Sequence, residues 1–382
     1  MTRSRQVQRL DIDALLTDPD SRIIVCCGSG GVGKTTTAAA LALRAAEQGR
    51  RAVVLTIDPA RRLAQALGLT ALDNTPRRVE GVGRAGGELH AMMLDMKRTF
   101  DEVVLAHSTP DKAGEIFENP FYQAMSSSFS GTQEYMAMEK LGQLRADGSW
   151  DLIVVDTPPS RSALDFLDAP QRLSRFLDGK MLRLLLAPAK KGGRAYLKVV
   201  QAGVGFFSRV ITRILGAQLL KDLSAFVAAL DTMFGGFRER AQQTYELLQQ
   251  PGTSFLVVAA PEPDALREAS YFADRLAADH MPLAGLVLNR VHRAQAELSA
   301  ESSISAAERL EATRPEPGSA AELTAAVLRV HADRVRLALR EQRLARRFSA
   351  AHPKVAMVEV AALGKDVHDL PGLRAVVREL LA

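Results

Sequence analysis

Short apolar runs rich in strand-forming residues recur along the chain and alternate with segments of helical periodicity. The runs are almost continuously apolar, which is typical of strands that are covered by helices on both faces. The pattern therefore predicts an α/β protein with a mostly parallel sheet, flanked by helices and joined by right-handed crossovers. The runs are Arg22–Cys27, Ala52–Ile57, Leu89–Leu94, Leu152–Asp156, Ser254–Ala260, Ala284–Asn289 and Val355–Val360.

Four stretches depart from this alternation. Lys97–Trp150 has a helical pattern whose last helix opens near Gly131–Glu134, and Leu164–Gln250 is very apolar and mostly helical in pattern. We expect these two stretches to form an α-helical subdomain inserted into the α/β domain. Ala294–Ala321, rich in Ala, Ser and Glu, is predicted to be a mobile connection or lid. Leu323–Phe348 is predicted to be a basic amphipathic helix. Its arginines are Arg329, Arg334, Arg336, Arg340, Arg343, Arg346 and Arg347.

Composition narrows the classes of protein that fit this pattern. The chain has 382 residues, enough for two domains or for one large domain with an insertion, and its two cysteines are the adjacent Cys26 and Cys27. Adjacent strand residues point to opposite faces, so we expect two buried thiols rather than a disulfide framework or a C-x-x-C metal site. The N-terminus lacks a secretory apolar core and no stretch has the apolar length of a membrane span, so we expect a cytoplasmic protein.

The net charge says less about partners. Lysine and arginine together number 49, against 44 aspartates and glutamates, which gives a formal net charge of +5. A basic chain can bind nucleic acid or an anionic membrane, but this excess is small and an ordinary solvated surface accounts for it. We do not expect nucleic acid as a partner.

The strongest motif follows the first predicted strand. The run Gly28–Thr35, GSGGVGKT, fits the phosphate-binding pattern G-x-x-x-x-G-K-[ST] and leads into a helical segment. The glycines let successive backbone N–H groups point at phosphate oxygens, Lys34 adds a positive charge between the β- and γ-phosphates, and Thr35 offers a hydroxyl to Mg²⁺. The fold class is therefore predicted to be a P-loop NTPase. The candidate nucleotide-binding residues of the loop are Gly28, Gly30, Gly31, Val32, Gly33, Lys34, Thr35 and Thr36.

Two carboxylates extend this candidate site. Asp156 ends the apolar run LIVVD and is predicted to complete the Mg²⁺ site, although an aspartate after a strand is as often only a cap or a turn residue. Asp58 follows Ile57, where a carboxylate can orient a water in line with the γ-phosphate; the alternative is a turn residue held by Pro59. The candidate catalytic residues are Asp58, Lys34 and Asp156, and the candidate metal-site residues are Thr35, Asp156 and Asp58.

Several motifs occur in one order along nearly the whole chain. With them the chain resembles the arsenite-transporting and tail-anchored-protein-targeting ATPase family, a group of P-loop ATPases with a deviant phosphate loop. The resemblance is weakest in Leu164–Gln250 and Ala294–Ala321. It rests on GSGGVGKTTT, TIDPARRLAQALG, GTQEYMAMEKLGQL, VVDTPPSRSAL, APEPDALREASYFADRL, LVLNRV and VEVAALGKDVHDLPGLRAV.

The resemblance implies an ATP-hydrolysing molecular switch that uses Mg²⁺ and works as a dimer. Asp58, in the first switch, would position the attacking water, and Asp156 would hold the water shell of the metal. Asp156–Ser160 would open the second switch, which senses the γ-phosphate. Asn289 would hydrogen-bond the adenine edge, with Val360–Leu363 near the base; without the resemblance, Asn289 reads as a turn residue at the end of a strand.

Three departures from the family pattern change these expectations. The family loop begins G-K-G-G, and its lysine reaches the partner's nucleotide across a dimer, but Ser29 stands in this place. We therefore expect slow hydrolysis by a homodimer, and a heterodimer with a lysine-bearing paralogue as the working form.

No C-x-x-C pair follows Asn289, so we expect no zinc between subunits. Pro158 and Arg161 replace small residues of the second switch, which should reduce its flexibility, and Arg161 is either a compensating cation or a surface residue.

Alternatives stay open for the apolar insert. By resemblance it would form a groove that opens and closes with nucleotide and takes a hydrophobic or membrane-protein client; plain core and a membrane-surface segment are the other interpretations. Arsenite is not expected, because the arsenite site of the family depends on cysteines that this region lacks. The groove would require exposure of Phe206, Phe207, Ile211 and Leu215, with bends at Gly203, Gly205, Gly235 and Gly236.

The expected organisation assembles these parts into one ATPase core with insertions. The leading function is a switch ATPase whose nucleotide state is coupled to the hydrophobic helical subdomain. The alternatives are a nucleotide-binding regulatory subunit with little hydrolysis of its own and a partition-type ATPase. The expected parts are the first core segment (1–96), a helical insert with a return helix (97–150), a core strand with the second switch (151–163), the apolar helical subdomain (164–250), the adenine side of the core (251–292), a mobile linker or lid (293–322), and the C-terminal helix with the last strand (323–382).

Overall fold

The computed structural model describes residues 8–58, 60, 62–83, 86–120, 122–123, 126, 132–158 and 239–382. Its strands are β1 (Ile23–Cys27), β2 (Arg51–Thr56), β3 (Arg77–Arg78), β4 (Glu88–Met93), β5 (Leu152–Asp156), β6 (Thr253–Ala259), β7 (Leu283–Val291) and β8 (Met357–Ala361). Within the described part of the chain, these strands form one sheet of order β3-β4-β2-β5-β1-β6-β7-β8. The β3–β4 pair is antiparallel and the other neighbouring pairs are parallel.

The predicted α/β class and mostly parallel sheet are confirmed. Every apolar run that predicted a strand forms one, because a strand buried on both faces needs apolar residues at consecutive positions. β1 and β5 are buried along their whole length at the middle of the sheet. Cys26 and Cys27 are buried free thiols, as expected, and burial raises the pKa of Cys27 to about 12. β3 was not predicted, since two exposed arginines carry no apolar signal.

Helices cover the sheet and form a second unit. They are α1 (Ile12–Thr17), α2 (Lys34–Glu47), α3 (Arg62–Ala66), α4 (Met96–His107), α5 (Pro110–Glu118), α6 (Thr132–Asp147), α7 (Pro263–Ala278), α8 (Ala300–Ala312), α9 (Ala320–Ala351) and α10 (Leu370–Leu381). Side-chain caps start several of them: Asp11, Asp95, Ser299, Ser319 and Asp369 each accept a backbone N–H of the first turn. Among the described helices, none combines the length and the apolar character that crossing a membrane requires.

The chain divides into two compact units. The first contains the sheet and draws on Met1–Met93, Ser149–Ala163 and Leu248–Ala382. The second draws on Leu94–Gly148 and Leu164–Leu247, and its described residues are mainly helical. Inside the second unit the buried carboxylate of Glu139 pairs with the Arg240 guanidinium at 3.0 Å. Lys140 pairs with Glu102 at 3.1 Å, so each of these two buried charges, Glu139 and Lys140, has a partner of opposite charge among the described residues.

Most expectations for the apolar insert fall outside the described residues. The expectation for Arg161 of the second switch, as a compensating cation or a surface residue, also falls outside them. The residues concerned are Arg161, Gly203, Gly205, Phe206, Phe207, Ile211, Leu215, Gly235 and Gly236.

The stretch Ala294–Ala321, predicted to be a mobile connection, contains helix α8. Ser299 caps this helix by accepting the Ser302 N–H at 3.1 Å. Its small residues then pack closely on α9, where Ala300 and Ile304 contact Ala332 and Val335. A composition dominated by alanine and serine suits a tight helical hairpin as well as it suits a linker, and composition alone did not distinguish them.

Candidate functional site

The glycine loop joins the end of β1 to the start of α2 at the centre of the sheet. Gly33 is the N-cap residue of α2 and has a left-handed φ of 97°. Gly28 lies so close to β6 that a Cβ there would stand 2.1 Å from the carbonyl oxygen of Val258. At these two places the local backbone requires glycine, and the loop can therefore turn back over the N-terminus of α2, where N–H groups converge.

The remaining predicted loop residues surround this turn. Gly30 and Gly31 are exposed, Val32 is buried and Thr36 lines a cavity described below. Lys34 is 6% exposed, and its ammonium donates to the carbonyl oxygen of Ser29 at 2.8 Å. Burial lowers the pKa of Lys34, while the nearby carboxylates oppose this shift.

Asp156 lies at the carboxyl end of β5, between the ends of β1 and β2. Its Oδ2 accepts hydrogen bonds from the hydroxyls of Thr35 at 2.8 Å and Thr56 at 2.9 Å. The other oxygen, Oδ1, is buried and has no partner among the described residues. Burial raises the pKa of Asp156 to about 6, although the two threonine hydrogen bonds and Lys34 oppose the rise.

This arrangement fits a magnesium site. Mg²⁺ takes hard oxygen ligands and is usually held by one or two carboxylates, a hydroxyl and several waters. Thr35 and Asp156 supply a hydroxyl and a carboxylate 2.8 Å apart, and the unpartnered Oδ1 is an acceptor of the kind that a metal-bound water needs. A cation would also stabilise the charged form of this buried carboxylate.

Asp58 stands at the exit of β2, half-buried, and forms a local turn. Its Oδ1 accepts the Ala60 N–H at 3.0 Å, which is the turn-residue geometry that the sequence left open. Its own N–H donates to the Thr56 hydroxyl at 3.2 Å. Thr56 therefore joins Asp58 to Asp156, because the same hydroxyl that accepts from one donates to the other.

Thr56 and Thr157 are site residues that the sequence did not single out. Thr56 is 1% exposed and pairs with Asp156 in the β2–β5 register. Thr157, also 1% exposed, donates its hydroxyl to the Cys26 carbonyl at 2.8 Å and ties the exit of β5 to the end of β1. A threonine at each of two adjacent strand ends was the available signal, but threonine is common in strands.

Asn289 connects β7 to the glycine loop. Its Nδ2 donates to the Val32 carbonyl at 2.8 Å, and its Oδ1 accepts the N–H of Arg290 at 3.0 Å. Arg290 has a left-handed φ of 63° at this end of β7. The Asn289 side chain is therefore held at the mouth of the loop, with one N–H of its amide and one lone pair of its oxygen still available to a ligand.

A cavity of about 890 Å³ opens beside Asn289. Gly33 and Thr36 of the phosphate loop line it, and so do the residues of the predicted segment Val360–Leu363. Its volume lies within the usual range for a small-molecule site. The cavity therefore joins the two halves of the site that the sequence predicted separately.

A second residue pair supports this cavity and was not predicted. His292 lines the cavity. The buried carboxylate of Glu341, on α9, accepts the His292 N–H at 2.7 Å and lies 2.8 Å from its Nδ1. This pair fixes α9 to the end of β7, next to the cavity wall.

Comparison with known proteins agrees with this geometry. A sequence model of the protein family described as Anion-transporting ATPase matches residues 21–311. The chain is 28% identical over 163 residues to the ATPase GET3 of Malassezia globosa, which covers 43% of this chain and 46% of that protein. It is 26% identical over 259 residues to the putative arsenical pump-driving ATPase 1 of Aquifex aeolicus, covering 65% and 58%.

A third relative carries no functional name. The chain is 33% identical over 184 residues to the uncharacterized protein SCO2128 of Streptomyces coelicolor, covering 47% of this chain and 43% of that protein. In these alignments the chain spans about half the length of the curated relatives it matches.

Proposed function

Because the chain belongs to the anion-transporting ATPase family, we propose that it is an ATP-hydrolysing molecular switch that uses Mg²⁺. The observation that carries this proposal is the contact between Thr35 and Asp156, whose hydroxyl and carboxylate lie 2.8 Å apart at the end of the glycine loop. Two residues from elements 121 positions apart meet where the metal of a phosphoryl-transfer site belongs.

In this proposal the chain's own residues position the reactants. Backbone N–H groups of the glycine loop bind the phosphate oxygens, and Lys34 moves its ammonium from the Ser29 carbonyl to the β- and γ-phosphates. Thr35 and Asp156 hold Mg²⁺, which would neutralise charge that develops on the phosphate oxygens. Asp58 accepts a hydrogen bond from the attacking water and aligns it with the γ-phosphate.

We propose that the cavity beside Asn289 takes the nucleoside. An asparagine amide can donate to and accept from adenine at once, and the Asn289 amide keeps one donor and one acceptor position free. Val360–Leu363 would cover the base from the neighbouring strand end. The ribose and base would then lie between the loop and β8, in the cavity of about 890 Å³.

Ser29 decides the proposed oligomer. The backbone carbonyl of Ser29 accepts a hydrogen bond from Lys34 of the same loop. The short side chain of Ser29 is uncharged, so it supplies no cation to the nucleotide of a partner subunit. We therefore propose a dimer, with a lysine-bearing paralogue as the second subunit of the active form. The proposed client of the helical unit is a hydrophobic or membrane protein, and arsenite is not proposed.

Steady-state phosphate release by the purified chain, alone and with a co-purified paralogue, tests this function. We expect calorimetry to detect binding of Mg²⁺–ATP, and we expect Asp58→Asn to lower turnover about a hundredfold while binding persists. The second candidate, a regulatory subunit, is favoured by Ser29, and it would show nucleotide binding with turnover no faster than that of Asp58→Asn in every assembly. Failure of Mg²⁺–ATP to bind at all would overturn both.

A further inference from the structure

A buried carboxylate holds the imidazole ring of His292 beside the nucleoside cavity. Glu341 is 4% exposed, and both of its oxygens contact His292. Oε2 accepts the backbone N–H at 2.7 Å, and Oε1 lies 2.8 Å from Nδ1. A carboxylate only accepts hydrogen bonds, so Nδ1 carries a hydrogen and donates it to Glu341. The ring is therefore fixed in one orientation from its Nδ1 side.

The other ring nitrogen, Nε2, is available to a ligand. Within the described residues it has no hydrogen-bond partner, and it is not a buried atom. The His292 side chain is 35% exposed, and the residue lines the cavity of about 890 Å³. Nε2 is therefore an accessible polar atom beside the space proposed for the nucleoside.

Asn289, three positions earlier in the chain, restricts the part of a nucleoside that Nε2 can meet. In the proposed function, the Asn289 amide contacts the edge of adenine with one donor and one acceptor. This contact leaves both ribose hydroxyls unpaired. A hydroxyl both donates and accepts, so it can pair with Nε2 in either protonation state of the ring.

We propose that His292 binds a ribose hydroxyl and that Glu341 positions it, so that the cavity prefers ribonucleotides to deoxyribonucleotides. The inference rests on the proposed function and adds the sugar to the groups that the site distinguishes. A ring that Glu341 already holds loses little conformational freedom when a ligand binds. A nucleotide that lacks the hydroxyl leaves Nε2 without a partner and is disfavoured for that reason.

Asp366 is the competing candidate for this contact. It also lines the cavity, and a carboxylate can accept a hydrogen bond from a ribose hydroxyl. Its side chain is exposed, and in the part of the chain that the structure describes no hydrogen bond or ion pair fixes its carboxylate. Ordering Asp366 on binding therefore costs conformational entropy that the Glu341 contact has already removed for His292.

Calorimetry of the full chain with Mg²⁺ and ATP, 2′-deoxy-ATP or 3′-deoxy-ATP tests this preference. We expect ATP to bind at least about fivefold more tightly than one of the two deoxy analogues, because a single hydrogen bond contributes roughly this factor. The analogue that binds more weakly identifies the hydroxyl that Nε2 contacts.

The variant His292→Asn separates contact with the sugar from support of the fold. The amide nitrogen of asparagine lies as many bonds from the backbone as Nδ1 and can still donate to Glu341, but no atom reaches the place of Nε2. We therefore expect the stability in urea to change little and the ratio of ATP to deoxy-ATP affinity to fall to about one.

His368→Asn is the matched control. His368 lines the same cavity, and its Nδ1 lies 2.9 Å from the backbone carbonyl oxygen of Asp366. This variant should keep the affinity ratio of the unaltered chain. Circular dichroism establishes that each variant is folded.

Three results would overturn the inference. The first is equal affinity of the unaltered chain for ATP and both deoxy analogues, which needs no variant and leaves the proposed function intact. The second is an unchanged affinity ratio in His292→Asn, which would leave the pair of His292 and Glu341 a purely structural link between β7 and α9. The third is loss of the ratio in Asp366→Asn but not in His292→Asn, which would assign the sugar to Asp366. Failure to bind any of the three nucleotides would instead overturn the proposed function, and this inference with it.

Discussion

The hydroxyl of Thr56 donates to Asp156 Oδ2 at 2.9 Å while it accepts the N–H of Asp58 at 3.2 Å. One buried hydroxyl therefore connects the candidate metal carboxylate to the residue proposed to hold the attacking water. Thr56 touches neither reactant in this arrangement, so it is a positioning residue.

Replacing Thr56 by valine keeps the shape of the side chain and removes this connection. We expect kcat for phosphate release to fall about tenfold or more, because a hydrogen bond to a charged group contributes about 1.5–3 kcal/mol. Thr56→Ser keeps the hydroxyl and should retain most of the activity. Equal activities of the serine and valine variants would show that the hydroxyl has no part in positioning.

Asp58→Asn should lower kcat about a hundredfold and leave the affinity for Mg²⁺–ATP nearly unchanged, because an amide aligns and polarises water less well than a carboxylate. Phosphate release and calorimetry measure the two quantities separately. Asp73 offers a matched control, since its Oδ1 accepts the Thr75 N–H at 2.8 Å in the same kind of turn. A similar loss of kcat in Asp73→Asn would contradict the proposed role of Asp58 in aligning the attacking water and would leave it the role of a turn residue.

Ser29→Lys should increase hydrolysis by the isolated chain at least about tenfold, because a cation contributed by a partner can accelerate phosphoryl transfer by several powers of ten. The hydrolysis rates per chain are compared at increasing protein concentration, because a rate that depends on dimer formation rises with concentration. Ser29→Ala is the control and should hydrolyse as slowly as the unaltered chain. An unchanged rate in Ser29→Lys would contradict the proposed role of this position.

Gly28→Ala should destabilise the protein by about 2 kcal/mol or more, because the new Cβ would stand 2.1 Å from the Val258 carbonyl oxygen. Gly31→Ala provides the comparison. Gly31 has a left-handed φ of 75°, but among the described residues no atom beyond its chain neighbours would lie within 4 Å of a Cβ added there. Only the backbone strain of about 1 kcal/mol therefore applies to Gly31→Ala. Urea unfolding measures both, and equal losses would contradict the close approach of the loop to β6.

Glu341→Ala should lower the free energy of unfolding by about 1–3 kcal/mol, because it leaves the His292 N–H without its acceptor at 2.7 Å. Nucleotide affinity should fall as well, since His292 lines the nucleoside cavity. Glu308→Ala, at an exposed position of α8, should change neither quantity. A fully stable Glu341→Ala variant would mean that α9 is held by its apolar contacts alone.

The sheet could be predicted from sequence because strands that are buried on both faces need apolar residues at consecutive positions, and such runs are easy to recognise. The glycine loop could be predicted because its spacing is a local requirement of phosphate binding. Thr56 and Glu341 could not be predicted, since their roles depend on partners that the sheet register and the packing of α9 bring together. Thr56 and Asp156, for example, are 100 positions apart in the chain. Helix α8 could not be predicted because small residues fit both a packed hairpin and a connection.

The Asn289–Val32 hydrogen bond has a consequence for how the protein distinguishes ligands. The two residues are 257 positions apart in the sequence. Their hydrogen bond connects the end of β7, which would contact the base, to the glycine loop, which would bind the phosphates. If a base changes the position of the Asn289 amide, the loop must respond, and thermodynamic reciprocity requires that a bound phosphate group alter base affinity by the same factor. Base and phosphate tail would then be sensed jointly, and the sum of the binding free energies of their separate fragments would not equal that of the intact nucleotide.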